Sequence, residues 1–102
     1  MINDDNKTSI GKEMVPNERK VVLGLFAPEA KAAHVAGEFN GWDANSLPMK
    51  KQKDGPWKAE VKLPPGRYEY KFVVDGTWFE DLPGVERTPN QYGTQNLVMQ
   101  IR

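Results

Sequence analysis

Cysteine is absent from the 102 residues, and there is a single histidine, His34. A disulfide framework, a thiolate metal site and a thiol nucleophile are therefore excluded, and a reducing compartment suits the chain. Net charge is lacking as well, because 14 Lys and Arg balance 14 Asp and Glu. No overall field exists to concentrate DNA, acidic lipid or another polyanion, so a large neutral ligand or a protein partner fits better, local patches aside. Long apolar runs are missing too. None approaches the ~20 residues that a membrane span requires. The opening MINDDNKTSIGKEMVPNER has neither the basic start nor the apolar stretch of a signal peptide. A cytoplasmic, soluble chain is expected, with no membrane or nucleic-acid partner, and its length suits one domain with a modest core.

What is present divides in two. Residues 1–18 are polar and nearly free of large apolar side chains, so burial cannot offset their ordering entropy. They are expected to form a flexible tail, the one competing signal being Ile10 and Met14 at helical spacing. Residues 19–102 carry the signals of an all-β domain: short alternating or β-branched runs punctuated by Gly, Pro and Asn. Strands are predicted over 20–28, 33–39, 57–63, 67–74, 77–80 and 96–101, with EAKAA at 29–33 too short for a helix and read as a connecting turn. Pro64-Pro65-Gly66 forces a tight connection. Short strands in this number, without a convincing helix, point to an antiparallel, immunoglobulin-like β-sandwich.

Two turns place tryptophans. GEFNGW at 37–42 sets Trp42 just beyond the turn dipeptide Asn40-Gly41. Asp75-Gly76 reads as a two-residue type I′ hairpin, which pairs Val74 with Thr77, Val73 with Trp78, Phe72 with Phe79 and Lys71 with Glu80. Alternation then puts Tyr68, Tyr70, Phe72 and Val74 on the core face, and Glu69, Lys71 and Val73 on the outer one. Trp78 is thus directed at solvent on the same surface as Lys71. Trp57, on a strand with Ala59 and Val61, belongs to the core, and the lysines at 50, 51 and 53 belong to a solvated loop.

GEFNGWD at 37–43, DGPWKAEVKLPPGRYEYKFVVDGTW at 54–78 and NQYGTQN at 90–96 together resemble carbohydrate-binding module family 48. That family includes the glycogen-binding domain of the AMP-activated protein kinase beta subunit and the N-terminal domains of isoamylase and branching enzymes. The likeness covers about residues 19–102. It implies an early-set immunoglobulin-like sandwich that binds an α-glucan without catalysis or cofactor, with a glucan-metabolising enzyme or kinase as the implied partner. The family's two stacking tryptophans fall on Trp42 and Trp78, and its hydrogen-bonding lysine and asparagine on Lys71 and Asn96. A leucine and a threonine flanking a glycine grip the sugar chain in the family; here those positions are Tyr92 and Thr94 around Gly93. The tyrosine departs from the pattern and would add a stacking surface or narrow the groove. Asp81-Leu82-Pro83 departs as well, so the 81–90 loop is expected to follow its own path.

The residues agree with that implication on physical grounds. A pyranose ring offers an apolar C–H face to an aromatic plane, and each hydroxyl left unmatched in the contact costs ~1–3 kcal/mol. Lysine donates only, whereas asparagine also accepts. A shallow site and a flexible ligand give an expected affinity on the order of micromolar to millimolar. Other functions fit less well. Asp75, Glu80 and Asp81 are the carboxylates on offer for glycoside hydrolysis, but the turn explains Asp75, and Glu80 pairs with Lys71. His34 has no second histidine or cysteine with which to hold a metal. The serious rival is a protein-interaction or adaptor module, in which the exposed tryptophans form an interface.

Overall fold

The computed structural model describes residues 18–80 and 82–102. The expected tail, Glu18 excepted, lies outside the described residues, as does Asp81. Among the described residues eight strands follow one another: β1 Arg19–Phe26, β2 Ala33–Gly37, β3 Lys50–Lys51, β4 Pro56–Leu63, β5 Gly66–Val74, β6 Thr77–Phe79, β7 Arg87–Pro89 and β8 Gln95–Ile101. They form two antiparallel sheets, one ordered β1-β4-β3 and the other β2-β5-β8-β7, with β6 also paired to β5. The long β5 organises the second sheet. Its residues 70–74 pair with β2, while 66–70 pair with β8 and 72–74 with β6, so β8 and β6 share one edge of it.

Alternation places the core between the sheets. Leu23, Leu25, Trp57 and Ala59 face inward from the first, and Ala33, Val35, Tyr70, Phe72 and Leu97 from the second. Complete burial of a side chain such as Phe72, Val35 or Leu97 contributes about 1.5–3 kcal/mol. Tyr70 and Phe72 meet edge to face at 5.8 Å. Trp57 is core as expected, and its indole N–H donates to the Ala27 carbonyl at 2.9 Å, which satisfies its polar end inside the fold.

Most predicted strands stand where the sequence placed them, and EAKAA at 29–33 contains no helix. Several details differ, β1 ending at Phe26 rather than at Pro28. β2 stops at Gly37 because Glu38–Asn40 form a 3-10 turn. Lys50 and Lys51, expected in a loop, are solvent-exposed but pair with Lys58 and Trp57 as the short strand β3. Strand β7 is additional to the predicted set; its Pro89 is tolerated because β7 is the edge of its sheet. Tyr68 is half-buried and outside the core cluster, its hydroxyl donating to the Pro64 carbonyl beside the Pro-Pro-Gly connection. On the outer face, Val73 is buried between His34 of β2 and Trp78 of β6, so the middle of that face is covered by its neighbours.

Candidate functional site

Three segments project from the outer face of the β2-β5-β8-β7 sheet, and each is fixed by its own hydrogen bonds. In the first, Asn40 acts as a hub. Its Oδ1 accepts the Gly37 N–H at 2.9 Å, and its Nδ2 donates to the Val35 carbonyl at 3.1 Å and Ser46 Oγ at 3.0 Å. The turn closes when the Trp42 N–H donates to the Gly37 carbonyl at 2.9 Å, past Gly41 in the left-handed region at φ 65°. Trp42 follows with φ 62°, a conformation that costs a bulky residue about 1–2 kcal/mol. Gly37 is needed for a different reason: a Cβ there would lie 2.7 Å from the Glu69 carbonyl oxygen, the Phe39 ring and Tyr70 Cβ. Glu38 ties the turn to β5, its Oε1 accepting the Glu69 N–H at 2.8 Å.

The second segment is the β5–β6 hairpin. Asp75 at φ 48° and Gly76 at φ 83° give the two positive dihedrals of the expected type I′ turn, and the register is the one read from the sequence, with Val73 opposite Trp78. Asp75 also accepts the Lys31 and Ala32 N–H groups at 2.9 Å each, which anchors the hairpin to the β1–β2 connection. Trp78 is 44% exposed. Lys71 is not a free surface lysine: it is buried, donates to Thr94 Oγ1 at 2.9 Å, and lies 3.7 Å from Glu80.

The third segment, 90–96, is organised by Asn90. Its Oδ1 accepts the Tyr92 and Thr94 N–H groups at 2.9 and 3.2 Å, and its Nδ2 donates to Thr94 Oγ1 at 2.8 Å and Asn96 Oδ1 at 2.9 Å. The buried Asn96 passes the chain on, its Nδ2 donating to Glu69 Oε1 at 2.9 Å. Glu69 Oε2 takes a further bond from Arg67 at 2.8 Å. These donors, Asn96 foremost and then Arg67, hold the Glu69 carboxyl below its ordinary pKa. Tyr92 at the tip is 80% exposed.

All six residues singled out in the sequence, Trp42, Lys71, Trp78, Tyr92, Thr94 and Asn96, line one open groove of about 720 Å³. Glu38, Glu69, Asn90 and Gln91 line it too and were missed. Glu69 was within reach of sequence reasoning, since alternation sets it two residues from Lys71 on the same face; Glu38 carried no signal. Chemically the groove combines half-buried and exposed indoles with a floor of fixed donors and acceptors, which suits a ligand with both apolar faces and hydroxyls.

Relatives supply an independent view. The profile of carbohydrate-binding module 48 (isoamylase N-terminal domain) matches residues 9–93. The 5'-AMP-activated protein kinase subunit beta-1 of Rattus norvegicus is 30% identical over 90 residues, 88% of this chain and 32% of that protein. Its Homo sapiens counterpart is 35% identical over the same span and shares. Protein PTST homolog 2, chloroplastic, of Arabidopsis thaliana is 45% identical over 57 residues, 56% of this chain and 10% of that protein. The chain thus spans about a third of the length of the kinase subunits that it matches. With the matched profile running over most of its length and a two-sheet antiparallel fold of the expected kind, the chain belongs to carbohydrate-binding module family 48.

Proposed function

We propose that the domain binds an α-glucan, a glycogen- or starch-like polymer, without transforming it. The observation that carries this reading is that Trp42 and Trp78, far apart in sequence, line the same groove as Lys71, Thr94 and Asn96. The indoles stack on glucose rings, the ammonium and amide bond to hydroxyls, and Tyr92 at the rim offers a further aromatic surface. Membership of a carbohydrate-binding family supports the ligand class. A cytoplasmic location and a glucan-metabolising enzyme or kinase as partner belong to the same proposal. The kinase is motivated by relatives that are named as kinase subunits.

Electrophoresis in native gels containing glycogen or amylose tests the reading. Retardation of the purified chain is expected, with loss of retardation in Trp42→Ala and Trp78→Ala variants that keep the wild-type far-ultraviolet circular dichroism and a cooperative urea transition. Unchanged mobility across several α- and β-glucans would sink the proposal and favour a protein interface at the same tryptophans.

A further inference from the structure

The groove floor is a single hydrogen-bonded chain whose polarity is set from its two ends. Arg67 donates to Glu69, Asn96 donates to Glu69, Asn90 donates to Asn96 and to Thr94, and Lys71 also donates to Thr94. Glu69, as a carboxylate, only accepts, and Lys71 only donates. Between them stand two amides and a hydroxyl, each of which is ambiguous in isolation. A hydroxyl has two lone pairs and one hydrogen, and both lone pairs of Thr94 Oγ1 receive donors, at 2.9 and 2.8 Å. Its hydrogen is left to donate into the groove. Asn96 is held with Nδ2 toward Glu69 and Oδ1 toward Asn90, so neither end is free to exchange.

We infer that Glu69 and Asn90 are positioning residues: acting from opposite sides of Asn96, they fix which atoms of the floor donate to a glucan and which accept. Asn90 does this while also building the loop, since its Oδ1 is committed to the Tyr92 and Thr94 N–H groups. The assignment rests on the glucan reading of the groove. It names the ligand feature required at Thr94, an oxygen able to accept: a ring, glycosidic or hydroxyl oxygen of the sugar.

Reversing the polarity one atom at a time tests it. Asn90→Asp keeps the oxygen that caps the loop but turns the donor facing both Asn96 Oδ1 and Thr94 Oγ1 into an acceptor, to which Thr94 turns its hydrogen, away from the ligand. Asn96 can then satisfy the new carboxylate only by flipping, which sets its Oδ1 against Glu69. Glu69→Gln creates the mirror conflict, because the oxygen bonded to Arg67 leaves an NH₂ facing Asn96 Nδ2. In the double variant, a flipped Asn96 satisfies both neighbours. Titration calorimetry with maltoheptaose is expected to show roughly tenfold weaker binding for Asn90→Asp, a smaller loss for Glu69→Gln, and a double variant that binds more tightly than Asn90→Asp. Urea unfolding without ligand should show the same non-additivity. Gln95→Glu adds the same charge one residue from Asn96 outside the network, and should neither weaken binding more than about twofold nor couple to Glu69→Gln. Wild-type affinity in both single variants, simple additivity in the double, or equal coupling from Gln95→Glu would overturn the inference. Coupling in unfolding by a wild-type chain that binds no maltoheptaose would overturn the ligand role of the two residues together with the glucan reading. Additivity in a chain that binds would overturn the inference alone.

Discussion

Trp42 stands at φ 62°, immediately after a glycine that is also left-handed. A position of this kind would ordinarily favour glycine, so a tryptophan there trades stability for the placement of its ring. The trade is measurable without reference to ligand. Trp42→Ala and Trp42→Gly remove the same indole but differ in the strain they keep. The glycine variant should be the more stable by about 1 kcal/mol in urea unfolding, the reverse of the order at ordinary positions. Equal stabilities would mean that the left-handed backbone is not strained. Gly37 makes the complementary case, since its φ of −167° is accessible to any residue and only crowding excludes a side chain. Gly37→Ala forces backbone and ring atoms apart and should cost about 1–3 kcal/mol, read from the shift in urea midpoint.

At the scale of elements, the β5–β6 hairpin was legible because Asp75-Gly76 names its turn type and the turn fixes every pairing that follows. What the dipeptide could not reveal is that the Asp75 carboxylate reaches across 43 and 44 residues of chain to Ala32 and Lys31. Asp75→Asn keeps an acceptor and tolerance for φ 48°, whereas Asp75→Ala loses both. The alanine variant is expected to be about 1–2 kcal/mol less stable than the asparagine variant by urea unfolding. Asn40 and Asn90 show the same limit. Asn40 read as half of a turn dipeptide, yet it makes its contribution through side-chain bonds to Gly37, Val35 and Ser46. Trp78 was readable because the hairpin register and strand alternation give its direction, whereas Trp42, set just past a turn, was assigned to the groove by the family resemblance. Lys71 was placed on the right face, but its burial and its bond to Thr94, 23 residues away, are features that no local pattern reports. Strands β3 and β7 escaped for a related reason. At two and three residues they are too short to show a period, and they exist because β4 and β8 offer them an edge.

For the whole molecule, binding of an uncharged glucan, as proposed, would release no condensed counterions. Glucan affinity should therefore change less than about twofold between low and high salt, whereas a polyanionic ligand would lose affinity steeply. Acid is the condition to which the molecule should respond. The pKa of Glu69 is lowered in the folded chain by the Asn96 bond and then by Arg67, so the fold gains stability from it once the pH exceeds the unfolded carboxylate value of about 4.3. That gain is lost as the pH falls through the lower folded value, because Asn96 and Arg67 each donate to a different oxygen of Glu69 and protonation turns one of the two into a hydroxyl. Glu60 is lowered by its bond to Lys20, but that pair is exposed on the opposite sheet and solvent screens most of its effect. Urea unfolding followed from about pH 6 to about pH 3 should thus show a declining acid limb in the wild type, and a flatter one in Glu69→Gln. Matching limbs would show that Glu69 is not the carboxylate on which acid stability turns. Maltoheptaose affinity followed over the same range gives the functional counterpart, since Asn96 loses its fixed orientation at the pH where Glu69 takes up its proton.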